Sequence, residues 1–204
     1  MRFVLFCILI LPIGAAADET FSFQGASGSR EGYFIAPANA KAVILYFHRA
    51  IENREAVKEW ASLLGPSGYG VAGYTAVRGA DLADAAAAFK ALRTKTKLPI
   101  VAMGASMGTS AAAHLFATEP SIRALIVIVP GDPAMCDVFA KSSKRPVFLI
   151  QAEKDDVVSP DAAAQIQKCF GPTGKYLSLK NTTHRFPPSQ ISDQIVAFLQ
   201  LLPM

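Results

Sequence analysis

Three short segments of the 204-residue sequence carry side chains that could act together on a substrate. Gly104-Ala105-Ser106-Met107-Gly108 is a G-x-S-x-G pattern with the serine at its centre. A serine hydroxyl is a weak nucleophile until a base accepts its proton, so a histidine has to be found for it. The candidates are His48, His114 and His184. His114 lies two turns along the helix expected after Ser106, about 12 Å from its start, and reads as a packing residue. His184, in Asn181-Thr182-Thr183-His184-Arg185-Phe186, is the expected base. A carboxylate is then needed to orient the imidazole and stabilise its positive charge. Glu153-Lys154-Asp155-Asp156-Val157-Val158-Ser159-Pro160 offers Asp155 as first choice and Asp156 as competitor, whereas Asp132, in Pro130-Gly131-Asp132-Pro133, reads as a turn residue. Serine, histidine and carboxylate in this combination perform nucleophilic acyl transfer. Without chemistry, the same glycines and serine would be a strand-to-helix turn with a serine cap.

That chemistry requires elements that bring distant segments to one edge. Strands are expected at 32–35, 41–47, 70–75, 100–105, 124–130, 147–152 and 175–179. Several are continuous apolar runs without alternation, such as VILYF, ALIVIV and VFLIQ, which is how strands buried on both faces read. Helices are expected at 52–64, 80–94, 107–118, 160–170 and 189–202, punctuated by Gly65, Pro99, Pro120 and Gly171. The alternation predicts a single α/β domain over 18–204: a doubly wound, mostly parallel central sheet with helices on both faces. The stretch 21–34, with Gly25 and Gly28 in its turn, is expected as an antiparallel lead-in. In such sheets ligands bind outside the carboxyl ends of the strands, where Ser106, Asp155 and His184 all fall.

The order Ser106, Asp155, His184 on strand-end loops, with G-A-S-M-G at the serine, resembles the α/β-hydrolase superfamily. AVILYFH resembles its strand and oxyanion-loop histidine, VFLIQAEKDDVVSP its acid loop, and NTTHRF its histidine loop. Within the superfamily, Gly32-Tyr33-Phe34-Ile35-Ala36-Pro37 is similar to the lead-in of the compact dienelactone-hydrolase-like branch, whose nucleophile is a cysteine where this chain has Ser106. The resemblance implies hydrolysis of small carboxylic esters through an acyl-enzyme on Ser106. It also implies an oxyanion hole from the backbone N–H groups of Met107 and Ala50. Where the family has glycine after the histidine, this chain has Arg49, which disfavours the backbone freedom glycine allows. A non-catalytic binding protein on the same fold is therefore one alternative, and a peptidase or thioesterase using the same triad is another. Many relatives insert a helical cap where this chain has only residues 130–146, so no cap domain is expected and the substrate is expected to be small.

Composition supplies the remaining bounds. Hydrophobic residues are 51% of the chain and charged residues 18%, which excludes a disordered spacer. The formal charge of +4 is modest and unclustered, so no nucleic-acid partner is expected. Met1-Arg2, an apolar run and Ala15-Ala16-Ala17 have the parts of a secretory signal peptide, giving an exported, periplasmic or secreted chain without a stable membrane anchor. Cleavage after 17 would remove Cys7, leaving Cys136 and Cys169 as an expected disulfide. The cysteines and histidines lack metal-ligand spacing, and no G-x-G-x-x-G follows the first strand, so neither metal nor cofactor is expected. Arg49, Arg78 and Arg185 all follow strands and are candidates for binding an anionic group on the substrate.

Overall fold

Continuous apolar runs can be satisfied only where both faces of a strand are covered, and the chain achieves this with one sheet between two helical layers. The computed structural model describes residues 17–26, 28–77, 81–141, 145–169 and 174–203. Residues 1–16 of the expected signal segment, and Arg78, lie outside them. The strands are β1 (Ala17–Gly25), β2 (Gly28–Ala36), β3 (Ala42–Phe47), β4 (Tyr69–Tyr74), β5 (Ile100–Ala105), β6 (Ile122–Ile128), β7 (Val147–Ala152) and β8 (Gly174–Leu179). They form one eight-stranded sheet in the order β1-β2-β4-β3-β5-β6-β7-β8. From β4 to β8 across this order the pairings are parallel, whereas β1 and β2 form an antiparallel hairpin closed at Gly25 and Gly28, with β2 antiparallel to β4. The fully buried Asp84 fastens that hairpin by accepting the Ala26 N–H at 2.7 Å.

The helices are α1 (Ala56–Leu64), α2 (Asp81–Lys95), α3 (Gly108–Thr118), α4 (Met135–Lys141), α5 (Pro160–Lys168) and α6 (Ser192–Leu199). Side chains along a strand point alternately to opposite faces. In β3, Val43, Leu45 and Phe47 enter a core shared with Phe89 and Leu92 of α2 and Leu115 and Phe116 of α3. Ala42, Ile44 and Tyr46 enter the other core, with Trp60 and Leu64 of α1 and Phe198 and Leu199 of α6. Full burial of each larger apolar side chain contributes about 1.5–3 kcal/mol, and the one polar side-chain atom on β3, the Tyr46 hydroxyl, is hydrogen-bonded to Glu52.

Some boundaries differ from expectation. α1 begins at Ala56 rather than 52, because Glu52 is drawn back to the Arg49 N–H. The expected 189–202 helix is a 3-10 turn at Pro188–Gln190 followed by α6. α4 was not expected. It occupies part of 130–146 and packs against α3 and α5 with Met135 buried. Cys136, on α4, and Cys169, just after α5, are paired as a disulfide in the structure. A bond spanning 33 residues removes loop entropy from the unfolded chain worth about 3–4 kcal/mol. Replacing both cysteines by serine should therefore lower the thermal midpoint by roughly 10 °C. Mass spectrometry should show alkylation of the pair only after reduction; alkylation of the unreduced folded protein would exclude the bond.

Candidate active site

The site is built where β5 turns abruptly into α3. Ser106 has φ +48°, a left-handed conformation that costs a residue with a side chain about 1–2 kcal/mol. Its N–H donates to Ile128 O at 2.9 Å, extending the β5–β6 ladder, while its carbonyl accepts from the Thr109 N–H at 3.0 Å and the Thr109 hydroxyl at 2.6 Å. The two glycines are required by close approach. A Cβ at Gly104 would meet Gly108 O at 2.4 Å, and one at Gly108 would meet Phe47 O at 2.2 Å. Only with hydrogen at both positions can the start of α3 press onto β3 and β5, leaving Ser106 at the tip with the positive end of a helix beneath it.

The histidine loop reaches this tip. His184 Nε2 lies 2.9 Å from Ser106 Oγ, and its Nδ1 lies 3.0 Å from both carboxylate oxygens of Asp155. A carboxylate only accepts, so Nδ1 carries the ring proton and Nε2 is left to accept from the serine hydroxyl. The side chains of His184 and Asp155 are 6% and 5% exposed, a setting in which each hydrogen bond is strengthened and an unpaired charge would be costly. Asp155 is further satisfied by the Val157 and Val158 N–H groups at 2.9 and 2.8 Å and by Gln151 Nε2 at 3.2 Å.

The two adjacent aspartates thus take different positions. Asp155 faces the imidazole, whereas the exposed Asp156 accepts the backbone N–H of His184 at 3.0 Å. Asp156 is one of several ties between the acid and histidine loops. Lys154 N–H donates to Thr182 O at 2.9 Å, and Glu153 accepts the Asn181 N–H at 2.8 Å. Sequence reasoning singled out neither Gln151 nor Glu153; the only signal for Gln151 is a polar residue inside the apolar run VFLIQA.

Arg49, Ala50 and Ser106 border one small cavity of about 130 Å³, together with His184, Arg185, Ile51 and Val157. Met107 and Ser106 border a wider depression of about 460 Å³, with Ser110, Asp132 and Ser159 on its wall. His48 is buried, and both of its ring nitrogens are engaged by backbone groups. Its Nε2 accepts the Ala76 N–H at 2.9 Å, so Nδ1 holds the proton and donates to Arg49 O at 2.6 Å. Arg49 is not among the described non-glycine residues with positive φ, which are Ser106, Val129 and Asn181. The loop therefore does not need glycine's backbone freedom at this position. Arg185 is exposed beside the cavity. His114, read as a packing residue, is exposed: α3 buries Ala111, Ala112, Ala113, Leu115 and Phe116 instead.

No protein-family model matches the chain, and no curated protein matches it. Solved structures do share its fold. The esterase domain of a Rhodothermus marinus protein aligns with a TM-score of 0.78 at 18% identity, over 91% of this chain and 99% of that one. A cold-adapted esterase from an Arctic intertidal metagenomic library gives 0.79 at 18% identity, over 92% and 95%. A CIB-like hydrolase from Thermoplasma acidophilum gives 0.72 at 15% identity, over 91% and 99%. Likeness at these identities speaks for the fold, and the chain has the α/β-hydrolase fold.

The N–H of His184 first, then the Asp156 amide, hold the Asp156 carboxyl below the usual carboxylate range, with Arg185 nearby adding to the effect. A group depressed on folding contributes stability above its unfolded pKa of about 3.9, and that stability is lost as pH falls through the folded value. Urea midpoints measured from pH 6 down to pH 3 should therefore fall less steeply for Asp156→Asn than for the wild type. Identical slopes would show that the contact does not persist in solution.

Proposed function

We propose that this chain is a serine hydrolase that cleaves small carboxylic esters through an acyl-enzyme on Ser106. The observation that carries the proposal is the continuous hydrogen-bonded line from Ser106 Oγ through His184 to Asp155. His184 Nε2 takes the hydroxyl proton as Oγ attacks the ester carbonyl, and the buried Asp155 carboxylate stabilises the imidazolium that forms. The negative charge on the former carbonyl oxygen is assigned to the N–H groups of Met107 and Ala50, a reading supported by the lining of the two depressions beside Ser106, one of which includes Met107 and the other Ala50. The imidazolium returns its proton to the leaving alkoxide. Water then repeats the sequence on the acyl-enzyme and releases the acid.

The esterases among the structural neighbours favour an ester over an amide. The open depressions beside Ser106, and the packing of α4 against α3 and α5, favour a small substrate. The absence of left-handed backbone at Arg49 removes the reason for preferring a non-catalytic binder. Export belongs to the same reading: Met1-Arg2, the apolar run after them and Ala15-Ala16-Ala17 have the parts of a secretory signal, and a Cys136–Cys169 disulfide suits an oxidising compartment.

A fluorophosphonate probe and a panel of p-nitrophenyl esters test the proposal. Wild type should be labelled and should turn over acetate and butyrate esters. Ser106→Ala should lose the label and at least about 10⁴-fold in kcat, and Asp155→Asn about 10⁴-fold, with Asp156→Asn losing far less. Undiminished labelling of Ser106→Ala would sink the assignment.

A further inference from the structure

We propose that Arg49 is a positioning residue, a strap whose guanidinium holds the loop bearing Ala50 against the loop bearing His184. The inference rests on the reading of Ser106 as nucleophile, and it assigns Arg49 neither to a spoiled oxyanion loop nor to an anion site.

Arg49 lies just beyond the carboxyl end of β3, where arginines ordinarily extend into water. Here it is only 8% exposed. Its Nη1 donates to Phe186 O at 3.1 Å, two residues past His184, and its guanidinium carbon lies 5.1 Å from the centroid of the buried Phe186 ring. The same Nη1 is 3.5 Å from Glu52 Oε1. Glu52 Oε2 in turn accepts the Arg49 N–H at 3.1 Å and the Tyr46 hydroxyl at 2.7 Å. The Arg49 carbonyl accepts a hydrogen bond from the His48 Nδ1–H. The residue preceding Ala50 is thus held through its N–H, its carbonyl and its side chain, and the side chain is the member that crosses to the histidine loop.

The charge is already paired with Glu52, and the guanidinium is desolvated against a ring and a carbonyl. Nε is buried with no hydrogen-bond partner, so the side chain is held through Nη1 and the ring contact. That arrangement is poorly suited to recruiting a substrate carboxylate and well suited to fixing a distance. The Ala50 N–H and His184 Nε2 stand on separate loops yet have to address one tetrahedral centre. A misplacement of about 1 Å can cost about 10²-fold in rate. Lysine would keep the charge but not the planar face that lies over the Phe186 ring, so it does not replace the arginine.

The test compares wild type, Arg49→Ala and Arg49→Lys on p-nitrophenyl acetate and on the carboxylate-bearing p-nitrophenyl hemisuccinate. Both variants should lose about 10²-fold in kcat on both esters with KM little changed, and millimolar guanidinium should restore part of the activity of Arg49→Ala. Hydrogen exchange followed by mass spectrometry should show peptides covering 48–52 and 182–187 accelerating together. Unchanged kcat, or a loss confined to KM for the hemisuccinate, would overturn the proposal; the latter would make Arg49 an anion-binding residue. If wild type turned over neither ester, the hydrolase reading would fail, while coupled exchange of the two loops would still support the strap and independent exchange would refute it. Should Arg49→Ala not fold, Arg49→Lys and Phe186→Leu carry the same exchange prediction.

Discussion

Ser106 keeps a left-handed backbone on a residue that has a side chain, and much of the surrounding structure makes that conformation persist. The cost of about 1–2 kcal/mol is met locally by hydrogen bonds to Ile128 O and from Thr109, and by close packing of α3 on β3 and β5 through Gly104 and Gly108. The packing is possible because β5 is buried on both faces, so the strand cannot retreat from the helix. A strained residue held by its surroundings points its hydroxyl away from the sheet edge, where loops from β7 and β8 can reach it.

Those loops meet the serine as a sewn pair rather than as two independent segments. Backbone and side-chain hydrogen bonds run between 153–156 and 181–184, and the imidazole and carboxylate are almost fully covered. In such a setting an unsatisfied carboxylate would cost several kcal/mol, and Asp155 avoids it by accepting from Gln151, Val157, Val158 and His184. Exposed Asp156 can remain charged without that company, so burial and hydrogen bonding separate two residues that are neighbours in sequence. The β3–α1 loop is held by a comparable network around His48, Arg49 and Glu52, and Arg49 Nη1 donates across to Phe186 O on the histidine loop.

The parallel strands were readable because burial on both faces leaves an unbroken apolar run. β5 and β7 match their expected limits, each ended by a sharp change to small or charged residues. α4 is not legible in the sequence because seven residues are too few for the spacing of Met135, Val138 and Phe139 to stand out, and its place is set by contacts with α3 and α5. The phase of α3 was equally obscure: Ala111, Ala112 and Ala113 are all buried, so the run of alanines does not say which way His114 faces. Asp155 and Asp156 share one sequence context, and only the three-dimensional position of the imidazole distinguishes them. Arg49 was misleading for a different reason. A residue type that usually seeks water is buried here because Glu52 and Phe186, three and 137 positions away, supply its partners.

The central claim is that Ser106 becomes covalently acylated. Rapid quenching of the protein with p-nitrophenyl butyrate, followed by intact-mass analysis and peptide mapping, examines that step directly. A transient butyryl adduct is expected, confined to the peptide containing Ser106 and absent from Ser106→Ala. An adduct on another residue, or steady ester turnover with no adduct at Ser106 at any quench time, would contradict it.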